Sequence, residues 1–440
     1  MTDYNLSDLQ SWNERIEALV ATSGLDCYEQ QFEIVSYEDM LCYEAYIGMP
    51  SHYPHWSFGK SYERQRTFYQ YNLSGLPYEL VINSNPCLAY LMRDNTLLLQ
   101  ILTIAHVYGH NDFFKNNRLF RNETRAELTV ETFKAHADRV RTYVQDPSIG
   151  PEKVERILDA AHGLKLHIRR RGAPKLADRK LESEERQKPV PERLQEDLLG
   201  FLAEKGNLLD WERDLVEIVR AEAYYFLPQI ETKIMNEGWA SYWHYTFLQR
   251  LGLPQQLHLE FLQRHNLVVR PFDGKINPYF VGYKMFDYLI REHGLEKALA
   301  IRSEERDESF LRRYLNRELC EAMHLFAYES NGMAIVVSDV SDEAGWKSVR
   351  DVLASSVGMA GIPVIRVSAV ENGCLQLQHE FDGRELELTY AAETLKYVAT
   401  LWGGPATLQT TIAGQEKRLS SEKQEERTVA TEEIPTSFTF

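Results

Sequence analysis

Cysteine is scarce in this chain. Its 440 residues contain five, Cys27, Cys42, Cys87, Cys320 and Cys374, dispersed without a Cys-x-x-Cys pair. That excludes a zinc ribbon and points to reduced thiols rather than a disulfide framework. Long apolar runs are missing too: no window approaches about 18 uninterrupted apolar residues, so no membrane insertion is expected. Met1-Thr2-Asp3-Tyr4 has neither a basic start nor an apolar signal core, and a cytoplasmic location is expected. Positive charge is in deficit, 49 Lys and Arg against 65 Asp and Glu, a formal net charge of -16. This argues against a general binder of nucleic acid or anionic membrane. The basic patch Arg169-Arg170-Arg171 stands beside acidic residues and reads as a solvated segment.

With 44% hydrophobic residues the chain can bury a large core and should form two or three domains. Residues 1–326 read as a mainly α domain with a small β-sheet. Its helices are predicted at 6–23, 94–117, 122–144, 151–161, 192–205, 210–226, 230–250 and 279–294, with strands at 33–35 and 78–82 pairing as the sheet. Within this domain 169–191 mixes basic and acidic runs with Pro174, Pro189 and Pro191 and reads as a charged connector. The texture changes after about Ala327. Strands are predicted at 334–337, 364–367, 375–377 and 385–388, a hairpin turn at Asp382-Gly383, and helices at 344–356 and 391–401. Residues 327–414 thus read as a small α+β C-terminal domain, and 415–440 as a disordered tail.

Two distant stretches carry the chemistry. His106-Val107-Tyr108-Gly109-His110 lies in an apolar segment dense enough to be a mostly buried helix, where two histidines four apart share a face. Burial favours the neutral imidazoles that a divalent metal needs. Gly109 costs about 1 kcal/mol relative to Ala inside a helix, so another backbone or a ligand is expected close by. Asn236-Glu237-Gly238-Trp239-Ala240, followed by Ser241-Tyr242-Trp243-His244, sits on a second helix opened by Pro228. A carboxylate between Ile234 and Trp239 is costly to bury unless a cation or strong donors face it. A metal held by His106, His110 and Glu237 satisfies that requirement; two separately hydrogen-bonded core histidines are the alternative.

The string Asn-Glu-Gly-aromatic-Ala is similar to the segment carrying the third zinc ligand in the large aminopeptidase family of gluzincins. Those enzymes take their first two ligands from His-Glu-x-x-His, and the analogy implies a zincin-like site. Here Val107 stands where they keep the general-base glutamate, so water activation must come from elsewhere. A closer resemblance spans nearly the whole chain. Tyr43-Glu44-Ala45-Tyr46, His52-Tyr53-Pro54-His55-Trp56-Ser57-Phe58-Gly59-Lys60, Ile82-Asn83-Ser84-Asn85-Pro86, 106–117 and 233–244 resemble the SpoVR family, stage V sporulation protein R. The resemblance implies a bacterial cytoplasmic protein linked, in spore formers, to assembly of the spore cortex. It also implies a PrkA-type serine protein kinase with an AAA-like ATPase domain and a YeaH/YhbH-type protein as partners.

Other polar residues compete for a place at the site. His55, in the aromatic loop with His52, reads either as a fourth ligand or proton-transfer group or as part of a structural loop pinned by Trp56 and Phe58, with Glu38 and Glu44 upstream. Asp112 reads as an acceptor behind a ligand histidine or a helix-end polar residue. His244 could ligate, transfer a proton or bridge helices. The combined reading is a zinc-dependent hydrolase or transferase acting on an amide or peptide bond, with His244, His55 or Glu44 handling the proton. Manganese or iron suits the same ligand types, which leaves a metal-dependent oxidoreductase open. The competing class is a non-catalytic scaffold or regulator that holds the kinase-like and YeaH/YhbH-like partners, with structural histidines.

Overall fold

The computed structural model describes residues 4–70, 79–169, 195–272, 275–330, 335–340, 342–343 and 345–422. In chain order the elements begin α1 (Leu6–Thr22), β1 (Gln30–Val35), α2 (Tyr37–Ala45), α3 (Trp56–Gln70), β2 (Glu79–Ile82), β3 (Cys87–Met92), α4 (Leu97–Asn116), α5 (Arg118–Glu123), α6 (Thr129–Gln145) and α7 (Pro151–Leu164). They continue α8 (Leu198–Lys205), α9 (Asp210–Glu231), α10 (Lys233–Arg250), α11 (Gln255–Val268), α12 (Pro278–Glu304), α13 (Asp307–Tyr314) and α14 (Arg317–Ala322). The remainder are β4 (Phe326–Ser330), β5 (Ile335–Val340), α15 (Trp346–Ser356), β6 (Ile365–Glu371), β7 (Cys374–His379), α16 (Leu388–Trp402), β8 (Ala406–Ile412) and β9 (Gln415–Ser421). The fold is mainly helical with small sheets, as composition and periodicity predict.

Two compact units form: Met1–Pro151 with Ala221–Ile362, and Glu152–Arg220 with Pro363–Phe440. The change of texture near Ala327 falls inside the first unit. In that unit β3 is the centre of a sheet ordered β1-β3-β2, parallel to β1 and antiparallel to β2. The two strands predicted to pair with one another therefore each pair with a third. β3, Cys-Leu-Ala-Tyr-Leu-Met, is almost entirely buried and has no polar alternation to mark it as a strand.

Three helices build the first unit's core. α4 starts at Thr96, whose hydroxyl accepts from Leu99 N, and is buried from Leu98 to Phe114. α10 follows a break at Thr232, which makes no side-chain cap. Its orphan amides are instead satisfied from α13: the Asp307 carboxylate accepts from Ile234 N at 2.8 Å and Met235 N at 2.9 Å. α12 opens on Asn277 and Pro278 and breaks at Gly294 (φ +81°). Glycines set how closely these helices approach. A Cβ on Gly109 would lie 2.5 Å from Ala240 Cα, and one on Gly238 would collide with the Gly282 backbone. One on Gly282 would strike the Ile234 carbonyl and lie 2.7 Å from Gly238 Cα. The neighbour expected at Gly109 is thus the α10 backbone. Around the crossing pack Trp239, Trp243, Phe247, Phe286 and Phe310. Trp239 Nε1 donates to buried Asp112 at 2.8 Å, tying α10 to α4.

Several predicted elements are revised. Pro228 lies inside α9 and opens no helix; α10 starts five residues later. The single helix predicted at 122–144 divides into α5, a 3-10 turn at Ala126–Leu128, and α6. In the second unit the sheet runs β6-β7-β8-β9, with β7 parallel to β8. Residues 385–387 form no strand, Leu388 starts α16, and the hairpin turn is Asn372-Gly373 between β6 and β7 instead of Asp382-Gly383. Residues 415–421, predicted as the start of a disordered tail, form β9 antiparallel to β8. Its alternation is hidden because β9 is an edge strand with both faces mainly polar and exposed. The rest of the tail from 423 onward, and the connector apart from Arg169, lie outside the described residues.

The close crossing gives a contrast between two glycines. Gly238→Ala forces α10 and α12 apart and should destabilise the protein by about 1–3 kcal/mol or more. Gly59→Ala, at an exposed position of α3 with nothing within 4 Å of the added atom, should be neutral or stabilising by up to about 1 kcal/mol. Thermal unfolding midpoints of the two variants measure this; equal shifts would dismiss the glycine contacts as determinants of the packing.

Candidate metal centre

The crossing of α4 and α10 sets imidazoles against a carboxylate in the protein interior. His106 and His110, one helical turn apart on α4, have ring centroids 4.6 Å apart and nearly perpendicular planes. Glu237 of α10 brings Oε2 to 3.6 Å from His106 Nε2 and 3.5 Å from His110 Nε2. A tetrahedral ion with ligands at about 2.0–2.2 Å has donor-to-donor edges of roughly 3.3–3.6 Å. The spacing suits such an ion and is too long for direct hydrogen bonds. From β2, Glu79 adds Oε1 at 3.9 Å from His106 Nε2. Glu79, His106 and His110 offer donor atoms all within 4.8 Å of one another.

The polar atoms facing this point lack what buried polar atoms normally have. His106 Nε2 and Glu237 Oε2 are both buried with no hydrogen-bond partner. Leaving each unsatisfied costs about 1–3 kcal/mol, more for the charged one. The opposite edges of the same side chains are well held. Lys233, one turn before Glu237, donates to Oε1 at 2.7 Å. Asn236 Oδ1 is 2.9 Å from His110 Nδ1, so this nitrogen is the donor and Nε2 is left with its lone pair toward Glu237. Each donor is thus oriented from behind and bare in front, the arrangement of a ligand set supported by an outer shell.

Electrostatics follow from burial and this crowding. Burial, then the neighbouring His106, pushes the His110 pKa down to about 4. Burial alone would raise the Glu237 carboxyl, but the Lys233 ammonium and the two imidazoles outweigh it and hold Glu237 well below the usual carboxylate range. Glu79 goes the other way, raised by burial, with His106 opposing and Glu237 adding to the rise. The Tyr279 ring stacks on His106 at 6.1 Å. Its hydroxyl is held protonated by burial and by the facing Glu237 and Glu79. These groups open on a cavity of about 740 Å³, whose wall also includes Glu44, Lys233 and Arg270.

The predicted residues do not all meet at one point. His106, His110 and Glu237 converge. His244 stands behind the cluster, its Nδ1 2.9 Å from His106 Nδ1 and its Nε2 2.9 Å from His265 Nδ1. With both nitrogens engaged it offers none to the convergence point. Glu44 belongs to the cavity wall, its carboxyl raised by burial. His55 is not brought to the cluster: its Nδ1 meets Ser57 Oγ at 2.7 Å and its ring packs on Trp56 and Phe58. The adjacent His52 pairs with Glu222 at 2.8 Å, which also takes His136 at 3.0 Å, so this loop is anchored elsewhere. Asp112 accepts from Trp239 and from Asp26 N at 2.8 Å each and serves helix packing. Sequence reading missed Glu79, Tyr279 and His265. Only Glu79 carried a signal, a carboxylate at the start of an apolar strand, and nothing in its spacing tied it to α4.

The chain matches the family described as SpoVR like protein over residues 3–189 and 173–362, and the SpoVR-like C-terminal domain over residues 360–413. The junction of the two matches coincides with the boundary of the compact units at Ile362. It is 31% identical over 475 residues to an uncharacterized protein, YcgB, of Escherichia coli (strain K12), covering 92% of each chain. No solved structure matches the chain. Among the described residues no helix is long and apolar enough to cross a membrane.

The buried imidazole on α4 sets a pH dependence. The unfolded chain binds a proton at His110 near pH 6.5, the folded protein only near 4. Between those values the unfolded state carries more protons, so this residue's contribution to stability is full above 6.5 and is lost as pH falls toward 4. For chelator-treated protein the expected loss is roughly 2–3 kcal/mol. Urea midpoints at pH 7.5 and 5 should therefore differ less in His110→Gln than in the parent; parallel behaviour would show that His110 is not held neutral.

Proposed function

The chain belongs to the SpoVR family, and within it we propose that the α4–α10 cluster holds a divalent metal, zinc first, and hydrolyses or transfers an amide or peptide bond. His106, His110 and Glu237 are the ligands of this reading. The observation that carries it is the pair of orphaned buried atoms, His106 Nε2 and Glu237 Oε2, 3.6 Å apart beside His110 Nε2. A cation between them removes two desolvation penalties at once. Manganese and iron accept the same donors.

Bound there, the ion would act as a Lewis acid on a carbonyl and lower the pKa of a water. The chain's own groups account for the rest. Glu79 answers the absence of a carboxylate at Val107: it reaches the cluster from β2 instead of from α4, and its burial-raised pKa suits a group that takes a proton from water and returns it to a leaving amine. Glu79 is better placed for this than His244, whose nitrogens are both engaged, or His55, which is held by Ser57. Tyr279, kept protonated, is a donor for negative charge developing on a carbonyl oxygen. Lys233 fixes Glu237 through Oε1 and leaves Oε2 for the ion.

Metal analysis of protein purified without chelator or affinity metal is the test. About one divalent ion per chain is expected, lost in His106→Ala and Glu237→Ala. Glu79→Gln should keep the ion while turnover of an amide substrate falls about 10²–10⁴-fold. Near-zero metal in the parent, persisting after added zinc or manganese, would overturn the proposal.

A further inference from the structure

We propose that His265 of α11 is a positioning residue, acting through His244 to set which nitrogen of His106 carries its proton and so how well His106 can ligate. The inference rests on the metal reading above. Its own ground is a series of three imidazoles joined by two nitrogen-to-nitrogen contacts of 2.9 Å, His106 Nδ1 to His244 Nδ1 and His244 Nε2 to His265 Nδ1. Each contact needs one donor and one acceptor, so between neutral rings only two arrangements exist, and they are mirror images in proton position. In one, His106 holds its proton on Nε2, His244 on Nδ1 and His265 on Nδ1. In the other, His106 holds it on Nδ1, His244 on Nε2 and His265 on Nε2. Only the second frees His106 Nε2 to bind an ion.

The protons balance. Passing from the first arrangement to the second, His106 loses the Nε2 proton on the cavity side. The His244 Nδ1 proton moves to His106 Nδ1, and the His265 Nδ1 proton moves to His244 Nε2. His265 Nε2 takes up one proton from water. Each ring ends neutral, and one proton has been released beside Glu237 for one acquired at α11. His244 is fully buried and, among the described residues, has no other polar partner for either nitrogen, so His106 can change only in step with His265. α11 is otherwise a peripheral helix: Phe261 and His265 are the two side chains it buries. His265 packs against the rings of Tyr245 and Tyr283, with centroids 4.6 and 5.0 Å away. Burial and the nearby Lys284 charge hold it down at about 4, which keeps His265 itself neutral at ordinary pH. Hydrogen-bond partners behind a metal-bound histidine typically contribute 10–100-fold to affinity.

The experiment uses the full chain with histidine nitrogens isotopically labelled, as parent, His265→Phe and His265→Gln, titrated with zinc. In the parent, zinc should drive His265 to the Nε2-protonated form although it does not touch the ion. His265→Phe, which removes the acceptor, should weaken zinc binding 10–100-fold. His265→Gln, whose amide oxygen accepts from His244 Nε2, should restore part of the loss and also shows that the Phe effect is not a folding failure. A parent that binds zinc, with an equally tight His265→Phe and an unmoved His265 tautomer, overturns the positioning role and leaves the metal reading intact. A parent that binds no zinc ends the metal reading alone. The tautomers of His106 and His244 in metal-free parent and His265→Phe then decide the coupling: a change supports it and identity overturns it.

Discussion

Backbone-to-backbone approach of α4, α10 and α12 is the constraint on which the rest of the first unit depends. Side chains ordinarily keep helix axes 8–10 Å apart or more. Gly109 against Ala240, and Gly238 against Gly282, remove the atoms that would impose this separation. The convergence of His106, His110 and Glu237 is a direct result. Their side chains extend only a few ångströms, and a methyl on Gly109 would push the α10 backbone at Ala240 away from α4. The aromatic packing of Trp239, Phe286 and Phe310 and the Trp239–Asp112 bond hold the crossing closed. Site and core are one construction. Gly238 lies next to Glu237 in sequence because a single turn of α10 must both admit a neighbouring helix and present a carboxylate.

How much of this could be read beforehand depended on whether the information was local. The helix around His106 was legible because apolar residues dominate from Leu97 to Ala105, interrupted by Gln100 and Thr103 alone, and its glycine is costly enough to require a reason. The Asn236 to His244 segment was legible because a buried charge demands compensation. Glu79 was not legible as part of the site, since its approach depends on β2 pairing with β3, and β3 is a uniformly apolar run without strand periodicity. Tyr279 and His265 reach the cluster through helices whose own patterns are ordinary. His244 was noticed with three roles left open: its spacing from Glu237 put it on the right helix, while its direction, toward the far side of His106, is a tertiary fact. Pro228 misled for the opposite reason, since a local preference for helix starts gave way to the continuity of α9.

Family membership and geometry bear on different questions. The SpoVR matches and the YcgB identity cover most of the chain, so the arrangement of helices belongs to more than this sequence. They carry no chemistry with them. The chemical content comes from atoms: donors fixed from behind by Asn236, Lys233 and His244, open in front, and lining a cavity with a protonated tyrosine and a second carboxylate. In the proposed reading the general base absent from the α4 motif is supplied by a strand residue. Function in such a fold is a property of the assembled surface, not of a contiguous signature.

Asp307 gives the first unit a further property. It closes the amide end of α10 from a helix more than seventy residues downstream, in the place a local capping residue would fill. The helix that carries Glu237 therefore has no complete beginning until the chain beyond residue 306 has been made and docked. During synthesis the half-sites would leave the ribosome in order, but the carboxylate would gain its fixed bearing only late. Ion uptake in this reading becomes a closing event of maturation rather than a seed for it.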